Sequence, residues 1–270
     1  MLRYLNILSL DVAIGACVCS HFVAKVMGTT LESATTLLLG LTVWVIYTFD
    51  HLNDARHIVH RASTERHRFH QKHFNILAFA CILCLLLCGW LTQYIAPATL
   101  VYGTILGSIV LAYFMFLYWL KLKASYHKEI SIALIYAAGI MLAPLSTSQV
   151  LNVALVLIIY IQFVLIALSN LLIFSSYEVI PDTKDASASL CRIIGVGNCQ
   201  KLVWAMLIGQ IVIAALVITT IPEWSMLEWV LLGMALVTGS LLVFRRVMIK
   251  GDTYRLVGDG VFILPIIAIL

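Results

Sequence analysis

Charge is what this 270-residue chain has little of. Asp, Glu, Lys and Arg together make up 11% of it, against about a quarter in a soluble domain. So few charges cannot cover a water-facing surface of this size, which excludes a soluble globular protein. The connections near 93–97, 146–152 and 221–228 carry no cation at all. The first apolar run has no small-residue cleavage site and contains Asp11, so a retained helix is expected there, not a signal peptide.

What is abundant is apolar sequence, 62% of the chain. A helix needs roughly 20 apolar residues to cross the hydrocarbon core, and runs of that kind lie near 4–27, 31–50, 74–95, 98–120, 130–147, 150–175, 201–221, 226–244 and 255–270. The fold expected is all-α: a polytopic membrane bundle of about nine transmembrane helices spanning 1–270 as one domain. The cations give its orientation. Of 17 Lys and Arg, 16 fall on one side of a nine-helix weave, with only Lys25 opposite. Cytoplasmic loops are enriched in Lys and Arg, so the N-terminus is expected inside and the C-terminus outside, in a cell (inner) membrane. The net charge of +4 reflects this sidedness and gives no reason to expect a nucleic-acid partner. The cysteines at 17, 19, 81, 84 and 88 lie in apolar runs, where a thiol acts as a small hydrophobe.

The thirteen acids are not scattered. Asp50 and Asp54 end the second run, one helical turn apart, and Asn53 and His57 extend the same face. Glu178 and Asp182 end the sixth with the same spacing, Asp185 comes three residues later, and Pro181 predicts a kink or helix end. Two such clusters four helices apart predict two pseudo-repeated halves around a central cavity. Like charges placed this way repel, and ions at a membrane boundary are costly to desolvate. A cation must offset them. Hard oxygen ligands suit Mg²⁺, which binds through one or two carboxylates plus substrate phosphates. A diphosphate site is therefore expected, against the plainer reading of solvated helix ends. Asp11, inside a helix, fits a transport role or a structural hydrogen bond.

Nine helices with acidic motifs after the second and sixth resemble the UbiA superfamily of intramembrane prenyltransferases. Glu178-x-x-x-Asp182-x-x-Asp185 is similar to the family's DxxxDxxD, with Glu for the first Asp, and Ala188, Ser189, Leu190 and Gly195 suit the family's pattern after that motif. The first motif departs from NDxxDxxxD: aligned on Asp50, it has Asn53 and His57 at the later acidic positions, and aligned with Asn53-Asp54 as the ND pair it has His57 and Arg61 there. Tyr118-Trp119-Leu120-Lys121-Leu122-Lys123 looks like the Tyr…Lys-Leu-Lys segment of chlorophyll-synthase-like members.

The resemblance implies an Mg²⁺-dependent transfer of an isoprenoid chain from a prenyl diphosphate to a lipid or aromatic acceptor. The metal is expected on Asp50, Asn53, Asp54, Glu178, Asp182 and Asp185. Catalysis is expected to depend on Asp50, Asp54, Asp182 and Asp185. Arg56, Lys121, Lys123 and Lys184 are the expected diphosphate ligands. Tyr47, Tyr113 and Tyr177, with Phe49, Tyr136 and Phe174, are candidates to face the allylic cation. Cytoplasmic segments near 51–73 and 177–200 are expected to cap the site. In the first, Ser63 or Thr64 could cap a short helix that puts Arg66, His70 and His73 on one face. A terpene cyclase of the same superfamily and a non-enzymatic transporter or scaffold are the alternatives.

Overall fold

The computed structural model describes residues 2–119 (backbone alone at 117–119), 128–149, 152–185 and 189–270. The described residues form helices and their connections, with no strand among them. Two helices open the chain, α1 (Leu2–Ile7) and α2 (Leu10–Val26). Next come α3 (Ser33–His57), the short α4 (Glu65–Lys72), α5 (Phe74–Leu91), α6 (Pro97–Trp119), α7 (Lys128–Thr147) and α8 (Val153–Lys184). The chain ends with α9 (Leu190–Ile194), α10 (Val196–Thr220), α11 (Ser225–Val243), α12 (Arg245–Met248), α13 (Thr253–Gly260) and α14 (Ile266–Ile269).

Seven of these, α3, α5, α6, α7, α8, α10 and α11, are long and apolar enough to cross a membrane. The count differs from the nine runs at both ends of the chain, and backbone chemistry explains why. Ser9 takes a left-handed conformation (φ 55°), which a side-chain-bearing residue adopts only at a cost, and it splits the first run into α1 and α2. The last run breaks into α13, a single turn at Val261–Ile263, and α14. Pro265 stands at the start of α14, where a ring nitrogen cannot continue the preceding helix.

The two broken ends pack on each other. A Cβ on Gly15 would meet Phe262 Cβ at 2.7 Å, so the backbones can approach this closely only with glycine there. Lys25 Nζ donates to Ala268 O at 2.7 Å and so meets the last carbonyls of α14.

Lipid offers no hydrophobic drive for helices to associate, so packing of small residues matters most. Ala13 and Ala16 of α2 and Ala133 and Ala137 of α7 sit in one core with Ile159, Phe163 and Ile166 of α8. By contrast α5 and α6 turn Ile76, Phe79, Ile82, Leu86, Ile105 and Ile109 outward. Such a surface suits acyl chains and not water.

The acids of both motifs lie on helices and not in the loops after them, save Asp185, which caps α8. α3 runs on to His57, and α8 passes through Pro181 to Lys184, with Asp185 N donating to Pro181 O at 2.9 Å. A proline in the last turn removes only one donor, so the helix survives it.

Candidate functional site

Asp50 and Asp54 face the first residue of α7. Lys128 Nζ lies 2.9 Å from Asp50 Oδ1 and 2.9 Å from Asp54 Oδ2. One ammonium thus offsets the repulsion between two carboxylates a turn apart. The next residue, Glu129, points the other way: it is buried and accepts from Ser175 Oγ (3.0 Å) on α8 and from Leu190 N (2.9 Å) on α9. The first turn of α7 therefore ties the end of α3 to the region of the second motif.

Above Lys128 and Asp50 opens an apolar cavity of about 330 Å³ between α3, α6 and α7. It runs along α3 from Thr35 to Asp50, about 22 Å of helix rise. Gly103 and Gly107 of α6 and Gly139 of α7 line it. A Cβ at any of the three would meet nothing within 4 Å. Tyr47, Tyr113 and Tyr136 line the cavity, as does Phe114. Phe49, Phe174 and Tyr177 do not. Phe49 packs edge-on against Phe114 at 5.4 Å, Phe174 against Tyr254 at 5.7 Å, and Tyr177 stacks on Tyr254 at 4.3 Å. The Tyr177 hydroxyl donates to Leu241 O at 2.5 Å.

The acids of the second motif take separate partners. Glu178 Oε1 accepts from the Tyr254 hydroxyl at 2.6 Å and pairs with Arg255. Asp182 is half-buried, and its carbonyl accepts from Arg192. Asp185 accepts from Ser63 N (3.0 Å), Ser63 Oγ (2.6 Å) and His60 Nε2 (3.1 Å). Burial alone pushes the Asp185 carboxyl up, but those Ser63 and His60 hydrogen bonds outweigh it and hold it below the usual carboxylate range. Asp185 thereby pins the segment before α4 to the end of α8.

α4 is capped as the sequence suggests: Thr64 Oγ1 accepts from His67 N at 3.3 Å. Arg66 and His70 are buried on its inner face, while His73 ends the helix against Phe69. Burial lowers the affinity of His67 for a proton, and the carboxylates of Asp54 and Glu178 both act against that shift. His67 thus lies within electrostatic reach of both motifs.

Of the other expected ligands, Asn53, Arg56 and Lys184 are exposed. The His57 ring folds back onto Asn53 O at 2.7 Å. Lys121 and Lys123 lie outside the described residues.

Two features escape a reading of the sequence. Lys128 reads there as one more cytoplasmic cation, although its place at the head of an apolar run marks it. The other is a buried network. Asn6 Nδ2 donates to Asp11 Oδ2 (2.6 Å) and Asp259 Oδ2 (2.8 Å), Arg66 donates to Asn6 O (3.1 Å) and Oδ1 (3.2 Å), and a further Arg66 nitrogen donates to His51 Nε2 (3.2 Å). Asp259, an acid inside the final apolar run, is its signal.

The two motifs suit Mg²⁺ unequally. The carboxylates of Asp50 and Asp54 converge on one cation, and Mg²⁺ needs no more than one or two carboxylates when phosphate and water complete its shell. The first motif fits that chemistry. In the second, Glu178 is turned to Arg255 and Asp185 to Ser63 and His60, and no group of three metal-ligating side chains occurs among the described residues.

No protein-family model, curated protein or solved structure matches this chain.

Proposed function

We propose that this protein is an intramembrane prenyltransferase, dependent on Mg²⁺, that moves an isoprenoid chain from a prenyl diphosphate to a lipid or aromatic acceptor. One observation carries the reading: a long apolar cavity ends on two carboxylates and an ammonium. An amphiphile with an apolar tail and a diphosphate head matches both parts. Lys128 supplies a point charge for the diphosphate, and the apolar walls keep water from the allylic carbon. The bond from that carbon to the diphosphate oxygen breaks, and its electron pair leaves with the diphosphate. The faces of Tyr47, Tyr113 and Tyr136 stabilise the carbon cation. An acceptor nucleophile then bonds to the carbon and releases a proton. Asp50 and Asp54 would hold Mg²⁺, which when bound would supply further positive charge for the leaving group. In this reading the broken terminal helices complete a nine-span weave of two similar halves, with both acidic ends and the N-terminus on the cytoplasmic side.

The test is purified protein with Mg²⁺ and a panel of prenyl diphosphates, assayed for pyrophosphate and lipid products. Pyrophosphate release that Asp50→Asn abolishes is expected. Release without an acceptor, giving cyclic hydrocarbon, would indicate the cyclase. No release at any chain length would remove the enzyme reading.

The buried chain Asp11–Asn6–Asp259–Arg66 favours a second reading, a proton-coupled transporter, because intramembrane acids mark ion pathways. Proton uptake into proteoliposomes that Asp259→Asn abolishes would favour it.

A further inference from the structure

A second cavity, about 480 Å³ and lined in part by charged side chains, lies between α1, the start of α4, the end of α8 and the α12–α13 connection. We propose that it binds a phosphate-bearing anion, separately from the apolar cavity and whatever reaction occurs there.

Four arginines line it, Arg3, Arg66, Arg68 and Arg255, against three acids, Glu65, Glu178 and Asp252. Arg3 pairs with Glu65 and Arg255 with Glu178. Arg66 is also paired, with Asp259 at 3.5 Å, a residue that does not itself line the cavity. Arg68 donates through one nitrogen to Ala62 O (3.1 Å) and Ser63 O (2.7 Å), and it pairs with no carboxylate among the described residues. Two carbonyls orient the fork without neutralising it.

Arg66 is 8% exposed, and its Nε is buried with no partner among the described residues. Its nearest acid, Asp259, stands 3.5 Å away and is shared with Asn6. A buried charged donor left without an acceptor costs free energy that a ligand oxygen recovers. A guanidinium fork matches phosphate oxygens two at a time, which an ammonium or a hydroxyl cannot do. The site therefore asks for an anion with several acceptor oxygens: a phosphomonoester or diphosphate. The carrier is either a soluble phosphate or a phosphomonoester lipid headgroup, since the cavity sits at the end of membrane helix α8.

The experiment measures thermal unfolding of the full-length protein in two arms. In detergent, sodium phosphate is titrated against sodium chloride at matched ionic strength. In phosphatidylcholine vesicles, phosphatidic acid replaces about a tenth of the lipid, with phosphatidylglycerol as the matched-charge control. A saturable rise in midpoint with phosphate identifies the soluble source; a rise confined to phosphatidic acid identifies the headgroup.

In either case Arg68→Gln should weaken the response by about tenfold, the loss of one charge-assisted hydrogen bond. Lys201→Gln, an exposed cation on α10, should leave it unchanged. If Arg68→Gln does not fold, Arg68→Lys keeps the charge and loses the fork, and should bind several-fold more weakly. Equal midpoints in phosphate and chloride, with no response to phosphatidic acid, overturn the proposal. So does an Arg68 variant that responds like the wild type, or an equal loss in Lys201→Gln.

Discussion

Lys128 Nζ sits 2.9 Å from Asp50 Oδ1 at the charged end of a cavity otherwise walled by apolar and small side chains. Lys128 begins α7 and Asp50 lies near the end of α3, so the contact ties the two helices together at the charged end of the cavity they line. An ammonium at a helix N-terminus opposes the macrodipole, which the two carboxylates more than offset.

Removing the ammonium alone should therefore be worse than removing the pair. Lys128→Met leaves two poorly solvated carboxylates a turn apart and should cost roughly 3 kcal/mol. Adding Asp50→Asn and Asp54→Asn to Lys128→Met should restore most of that loss. Unfolding of these variants by SDS titration measures it. A Lys128→Met protein as stable as the wild type would mean that the pairing is not held in the membrane.

Asp185 should matter through position and not through charge at the apolar cavity. Its carboxylate accepts three hydrogen bonds from Ser63 and His60. Asp185→Ala should release the segment 58–64 from the end of α8 and lower local stability by about 2 kcal/mol. Hydrogen exchange of Ala62 and Ser63 amides should speed up accordingly, while amides in the middle of α8 keep their protection. In the transferase assay the change should raise KM more than it lowers kcat.

How much of this was legible depends on distance along the chain. Seven helices and both acid clusters can be read from hydropathy and i, i+4 spacing, which are local signals, and so can the Thr64 cap. Ser9 is different, because hydropathy does not register a single left-handed residue that splits a run. The partners of the acids are also invisible locally: Lys128 is 74 residues from Asp54, and Tyr254 is 76 from Glu178. The sequence requires that a cation balance the clustered acids; folding selects lysine and arginine side chains from distant helices to do it. Asp185 is the exception, held by the neutral donor Ser63 and by His60.

Stability should fall on acidification through histidine. Burial pushes the pKa of His70 down to about 4, and burial lowers that of His67 as well. His70 Nδ1–H donates to Arg66 O at 2.9 Å, which favours the charged ring, but burial, helped by the Arg66 guanidinium, outweighs it and keeps the ring neutral. A base with a depressed folded pKa binds fewer protons folded than unfolded, so stability rises with pH across that window. The contribution is complete above about 6.5, the unfolded value, and is lost as pH falls towards 4. Up to about 3 kcal/mol is at stake for His70. His70→Gln keeps a donor for Arg66 O and cannot titrate. Unfolding midpoints at a series of pH values should show a shallower slope between 6.5 and 4 in the variant than in the wild type.

The cavity itself gives a ruler. Gly139 lines it on α7, eleven residues beyond Lys128, about 16 Å along the helix. A Cβ there meets nothing within 4 Å, so a larger side chain enters open space and should not strain the fold. Gly139→Leu should therefore place a stop at a defined depth below the charged mouth. If the apolar tail of a prenyl diphosphate occupies the cavity with its head at Lys128, short chains should be used as before. Chains long enough to pass the stop should lose kcat/KM by about tenfold or more, each displaced methylene being worth about 0.8 kcal/mol. Replacing a helical glycine should also leave stability unchanged or slightly raised, which separates obstruction from misfolding. Turnover across a chain-length series decides the matter. An equal loss at all lengths, or none at any, would place the tail elsewhere and leave the cavity without its proposed occupant.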